Sequence, residues 1–238
     1  GTGAGGGSRE AGATPAASGW PAGTRELPPD ELRADDVRPF AVHVGPAPAA
    51  RADASAGAFV RTALASLVAN GHERDGAGVS ITSAEALGAL PALITAPADP
   101  SRVALANRAL ERSRIPWRFG ERRSGPVRSR GDGLDGATVQ RFYALQRQGA
   151  EGQGDTLVRA GVEPLVVAGD GWVLMAVALD PADTDVPLRA AFLPWLDRTI
   201  ARRLATDAGP VIEVAPSAEW ARPSWATGLE GPDGEVQA

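Results

Sequence analysis

The chain reads as an α/β domain, a three-layer sandwich around a mainly parallel sheet, with a β-hairpin and irregular terminal extensions. Three observations predict the α/β part. Short apolar runs alternate with helical patterns between residues 40 and 119, strand-like alternation takes over from residue 138, and a Gly169, Asp170, Gly171 turn joins two apolar runs. Strand, helix, strand, helix, strand with short links is the pattern of a parallel sheet covered by helices.

Residues 1 to about 23 are rich in Gly, Ala and Ser and lack periodicity, so they read as a flexible lead-in. Phe40, Val42 and Val44 alternate with Ala41 and His43, which predicts a strand ending at Gly45. After a loop over residues 45–54, Ser55 is placed to cap a helix carrying Phe59, Val60, Ala63, Leu64, Leu67 and Val68, closed by Asn70 and Gly71. Val79 and Ile81 predict a second strand, residues 84–87 a helical turn, and residues 92–95 a third strand. Asp99 caps and Pro100 opens the next helix, with Val103, Ala106, Asn107 and Leu110, followed by a short strand over 116–119.

The glycine- and arginine-rich stretch 120–136 reads as a protruding loop. Strands are expected over 138–145 and 156–158, and a hairpin pairs 165–167 with 172–177. A helix then begins near Pro187, with Leu188, Phe192, Trp195, Leu196, Thr199, Ile200 and Leu204 on one face; Pro194 should kink or divide it. The tail has one strand-like piece, 211–214, then Trp220 and Trp225.

Composition excludes several chemistries. The 238 residues allow one full domain plus extensions, and the dispersed net charge of −5 gives no general reason to expect nucleic acid. All 24 basic residues are Arg, a skew that fits GC-rich codon usage. With no Cys there are no disulfides, no thiolate nucleophile and no thiolate-bound metal. No apolar run reaches the roughly 18 residues of a membrane span. The glycines of GTGAGGG follow no strand and open no helix, so no dinucleotide or other cofactor is expected. The start lacks an initiator Met and signal-peptide features, as expected of a piece of a longer protein.

The segment most open to a chemical reading is the acidic turn after the hairpin. Asp180, Asp183 and Asp185 offer oxygen ligands of the kind hard cations prefer, but the spacing is not that of a calcium loop and no bidentate Glu follows. The simpler reading has Asp183, Thr184 or Asp185 accepting backbone amides at a helix start, with Arg189 paired to Asp180 or Asp185. A serine nucleophile elbow is absent, since residues 78–82 lack its final Gly, and His43 and His72 are the only imidazoles. The arginines from Arg102 to Arg130 read as a solvated helix face and a basic loop, able to meet anionic headgroups if the protein is membrane-anchored. Trp172 and Trp195 fall on apolar faces; an exposed row of Trp would instead point to sugar binding.

The stretch VLMAVALDPADTDVPLRAAFLPWLDRTI resembles the end of the soluble region of BatA-type aerotolerance-regulator proteins, bacterial membrane proteins with the form DPxxTDxPLRxxFxPxL. Asp180, Pro181, Thr184, Asp185, Pro187, Leu188, Arg189, Phe192, Pro194 and Leu196 fit that form. The resemblance implies residues 1–38 as lead-in and the end of a preceding β-sandwich, 39–206 as an α/β domain similar to class I glutamine amidotransferases (flavodoxin/Rossmann-like), and 207–238 as the start of a following module. It implies a membrane-anchored parent whose extracytoplasmic (periplasmic) region this is. Amidotransferases of that class need a Cys nucleophile, which this chain lacks, so it is expected to be a pseudoenzyme with no catalytic residue, metal or cofactor. Its expected partners are other envelope or membrane proteins and neighbouring domains. The alternative is a hydrolase that uses the turn from Asp180 to Asp185, with or without a metal.

Overall fold

The computed structural model describes residues 22–26, 37–41, 45–149, 155–205, 229–230 and 236–237, and divides the chain into units over 1–208 and 209–238. The short pairs at either end are described by backbone alone. In the first unit, β1 (Ala22–Glu26) and β2 (Val37–Ala41) form an antiparallel two-stranded sheet. Of the strand expected at residues 40–44, Phe40 and Ala41 belong to this small sheet, and residues 42–44 lie outside the described residues. In the second unit, β12 (Leu229–Glu230) pairs with β13 (Val236–Gln237). The expected strand at 211–214, His43, Trp220 and Trp225 lie outside the described residues.

The core of the first unit is a nine-stranded mixed sheet. It is built from β3 (Ala49–Ala52), β4 (Arg74–Asp75), β5 (Val79–Ser83), β6 (Ala92–Thr95), β7 (Trp117–Arg130), β8 (Thr138–Arg147), β9 (Asp155–Ala160), β10 (Glu163–Gly169) and β11 (Trp172–Met175), in the order β4-β3-β5-β6-β11-β10-β9-β7-β8. From β4 to β11 every pairing is parallel; from β11 to β8 every pairing is antiparallel. The expectation of a mainly parallel sheet is corrected accordingly. The parallel half reads as predicted at β5 and β6, whose residues are buried on both faces, as parallel strands require. Its first strand, β3, occupies the expected loop: AARA carries no β-branched or aromatic residue, and parallel pairing to β4 and β5 supplies what propensity does not.

Helix α1 (Ala58–Ala69) buries Val60, Leu64 and Leu67 at helical spacing and leaves Phe59 exposed. Ser55 does not cap it. Ser55 lies in a 3-10 turn capped by Asp53, and Gly57 precedes α1 at φ 86, a conformation that favours glycine. Helix α2 (Val103–Arg112) follows a 3-10 turn over Pro100–Arg102, with the Asp99 carboxylate accepting from the Ser101 amide at 2.9 Å. Its Asn107 side chain accepts from the Phe119 amide at 2.8 Å and donates to the Phe119 carbonyl at 2.9 Å, tying α2 to β7.

The stretch 120–136 is not a protruding loop, because β7 runs through it to Arg130. Gly120 and Gly125 sit at irregularities of the β7–β8 ladder, where register shifts fall between Phe119 and Arg122 and between Ser124 and Val127. The expected helix from Pro187 is divided, but not by a kink at Pro194. A 3-10 turn spans Val186–Leu188 and α3 starts afresh at Phe192 (Phe192–Thr199), so Pro194 falls in the first turn, where its missing N–H costs nothing. Leu188, expected on the apolar face, is 59% exposed. A π-helical turn, Ile200–Leu204, ends α3.

Candidate functional site

Strand β8 lies at the end of the sheet order, yet its free edge is not open. The Tyr143 amide donates to the Ala176 carbonyl at 2.8 Å, Gln140 N to Asp183 O at 2.7 Å and Asp185 N to Thr138 O at 3.0 Å, and Val139 bridges Thr184. The antiparallel half thus curls until its last strand meets the chain leaving β11. The acidic turn is where the curl closes.

Each residue singled out in the sequence has a partner there. Asp183 is buried, and its Oδ1 lies 2.5 Å from Arg141 Nε and 3.2 Å from Arg122 Nη2. Side chains two apart on a strand share a face, which puts Arg141 beside Tyr143, and the ladder sets Arg122 opposite Tyr143. Arg122 lies 5.8 Å from the Tyr143 ring centre, between that ring and Asp183. Thr184 donates to the Thr138 carbonyl at 3.0 Å and accepts from the Val186 amide at 3.2 Å, the one side-chain cap of the three foreseen. Asp185 accepts from the Thr138 amide at 2.7 Å through Oδ1 and meets Arg189 at 3.3 Å through Oδ2. Asp180 is exposed and accepts from the Ala182 amide at 2.8 Å.

Of the two pairings expected for Arg189, with Asp180 or Asp185, the second is present, at the i, i+4 spacing, through a single guanidinium nitrogen. Asp183 does not cap a helix; it binds two arginines from β7 and β8, which no local sequence signal places beside it. The three aspartates face different partners, and among the described residues no three carboxylates or imidazoles are arranged to hold a metal ion.

Two further clusters escaped the sequence reading. At the carboxyl end of β3 and β5, where open α/β sheets place their ligands, Ser55 Oγ lies 2.5 Å from Asp53 and 3.2 Å from Thr82, and accepts from the Ser83 amide at 2.9 Å. Burial raises the Asp53 carboxyl, but hydrogen bonds from Ser55 and Thr82 outweigh it and hold the group below its usual value. Nearby, the Ser83 hydroxyl, one Glu85 oxygen and the Tyr143 hydroxyl are buried without a partner among the described residues. Burial raises the Tyr143 phenol, with Arg122 opposing. The position of Ser83 at a strand end was the available signal.

The second cluster is at the opposite end of the parallel strands, just before β4. Glu73 is 2% exposed and neither carboxylate oxygen has a partner among the described residues. Burial, and secondarily the Asp197 carboxylate, pushes it up to about 7. His72 Nδ1 stands 3.2 Å from Asp197. No local pattern marks Glu73 in the sequence; it follows a helix end, where a solvated residue is the usual expectation.

Between α1 and α3 runs an apolar groove of about 350 Å³, lined chiefly by Phe59, Ala63, Pro187, Phe192 and Leu193, with Arg189 at its rim. Trp117, Trp172 and Trp195 are all buried, so among the described residues no exposed Trp row offers a sugar platform. No protein-family model, curated protein or solved structure matches the chain.

Proposed function

We propose that the chain is a non-catalytic scaffold or protein-interaction domain from the extracytoplasmic region of a BatA-like membrane-anchored protein, with an amidotransferase-like three-layer α/β core that has lost its reaction. The observation that carries the non-catalytic part is the acidic turn, where Asp183 and Asp185 are spent on Arg141, Arg122, Arg189 and the Thr138 amide. The hydrolase alternative needs those carboxylates free to face a substrate or a cation. The parallel order β4-β3-β5-β6-β11, buried on both faces at β5, β6 and β11, supports the core assignment. Placement beside a membrane rests on the resemblance; among the described residues no helix is long and apolar enough to cross one.

For the interaction itself, the support is the α1–α3 groove with Phe59 42% exposed on it. The test is cross-linking of the 238-residue chain in a bacterial envelope fraction, compared with Phe59→Glu. Specific adducts lost in the variant support the reading. Adducts unchanged by the variant, or turnover of a hydrolase substrate panel that Asp183→Asn abolishes, count against it.

A further inference from the structure

A second recess, of about 220 Å³, opens at the far end of α3 between Asp132, Arg198, Thr199, Arg202 and Arg203. The π-helical turn sets Arg202 and Arg203 beside Arg198 on its rim, and such turns recur at functional sites. From the other side comes the connection between β7 and β8, where Asp132 takes φ 44. Its carboxylate accepts from the Trp195 indole at 3.3 Å and stands 3.8 Å from Arg203. Arg198 lies over Gly133, where an added Cβ would come within 2.7 Å of its guanidinium.

Arginines in a last helical turn complement the carbonyl end of the helix, which accounts for their presence. It does not account for three guanidiniums gathered around one cavity. Among the described residues Asp132 is the only carboxylate on the recess, and neither Arg198 nor Arg202 has an acidic partner. The lining therefore carries an excess of positive charge. Thr199, 2% exposed, adds a hydroxyl. The volume falls below the roughly 300–1,000 Å³ of ordinary small-molecule sites and suits a single tetrahedral oxyanion. Arginine forks match such oxygens in charge and geometry.

We propose that this recess binds a phosphate-class oxyanion, gripped by Arg198 and Arg202 with Thr199 as a further donor, while Asp132 holds Arg203 at the rim. The anion is either free phosphate or the phosphate of a lipid headgroup. The proposal is independent of the scaffold reading and survives or fails separately from it.

The 238-residue chain is titrated with inorganic phosphate against sodium chloride at matched ionic strength, followed by thermal unfolding and calorimetry. Sedimentation with vesicles of phosphatidic acid in phosphatidylcholine, against phosphatidylcholine alone, forms the second arm. Arg198→Gln/Arg202→Gln is the test variant and Arg112→Gln, on α2, the control. Binding of phosphate that weakens at least tenfold in the double variant, and not in the control, supports a free-phosphate site. Vesicle binding with the same dependence, without a phosphate response, assigns the headgroup. Absence of both, or responses that chloride reproduces or that the double variant leaves intact, overturns the proposal. Circular dichroism of the double variant confirms that a loss is not unfolding, and phosphate protection of Arg198 and Arg202 from phenylglyoxal in the unmutated chain gives a readout that needs no variant.

Discussion

Arg141 Nε meets Asp183 Oδ1 at 2.5 Å, and this contact joins β8 to the turn that follows β11. Arg122 reaches the same oxygen from β7 at 3.2 Å. The carboxylate is buried while the guanidiniums are 41% and 25% exposed, so the two sides of the contact are unequal. Loss of one arginine strands part of a buried charge, whereas loss of the acid leaves cations that water can reach. Arg141→Gln and Arg122→Gln are each expected to cost about 1–2 kcal/mol, a value discounted for that exposure. Urea unfolding midpoints measure it.

Asp185 touches two groups of different worth. Its pairing with Arg189 is a half-exposed i, i+4 contact and should contribute no more than about 0.5 kcal/mol. Its bond from the Thr138 amide satisfies a strand donor where the curl closes, worth about 1 kcal/mol or more. Asp185→Ala is therefore expected to destabilise more than Arg189→Ala, and urea unfolding of the two variants ranks them.

Glu73 gives stability a pH dependence of known sign. Its folded pKa of about 7 exceeds the ordinary 4.5, so the folded state favours the protonated acid. That contribution is fully present below pH 4.5 and is lost as pH rises through about 7. Glu73→Gln cannot ionise. It should flatten the fall in stability across this window and be the more stable protein at pH 8, by on the order of 2 kcal/mol. Unfolding curves from pH 4.5 to 8 follow the difference.

Asn107 exchanges two hydrogen bonds with the backbone of buried Phe119. Asn107→Ala removes both and is expected to cost about 1–3 kcal/mol. Amide exchange at Phe119 should rise in the same variant, reporting release of β7 from α2.

These contacts mark what the sequence could convey. Local signals worked where chain neighbours decide the outcome: Asp99 and Pro100 at the start of α2, Asn70 and Gly71 at the end of α1, and the turn at Asp170 and Gly171 between β10 and β11. They failed where distant pairing decides. The Ala-rich β3 becomes a strand because β4 and β5 flank it. Arginines on β7 hid its length, since an exposed ribbon needs no apolar alternation. The turn from Asp180 to Arg189 was visible as a composition of charges, and spacing put Asp180 or Asp185 within reach of Arg189, of which Asp185 forms the pair. Its link to Arg122 and Arg141 was not visible, because those residues lie 61 and 42 positions away and approach only when the antiparallel half curls.

A double-mutant cycle between Asp183 and Arg141 distinguishes most directly an acidic turn that is a clasp from one that is a reaction centre. Carboxylates kept for catalysis are commonly held at a cost to stability, so neutralising one leaves the fold as stable or more so. A clasp behaves in the opposite way. Asp183→Asn is predicted to lower the unfolding free energy by about 1–3 kcal/mol, with a coupling to Arg141→Gln of about 1 kcal/mol or more. Equal or greater stability in Asp183→Asn, with additive effects in the double variant, would contradict the clasp.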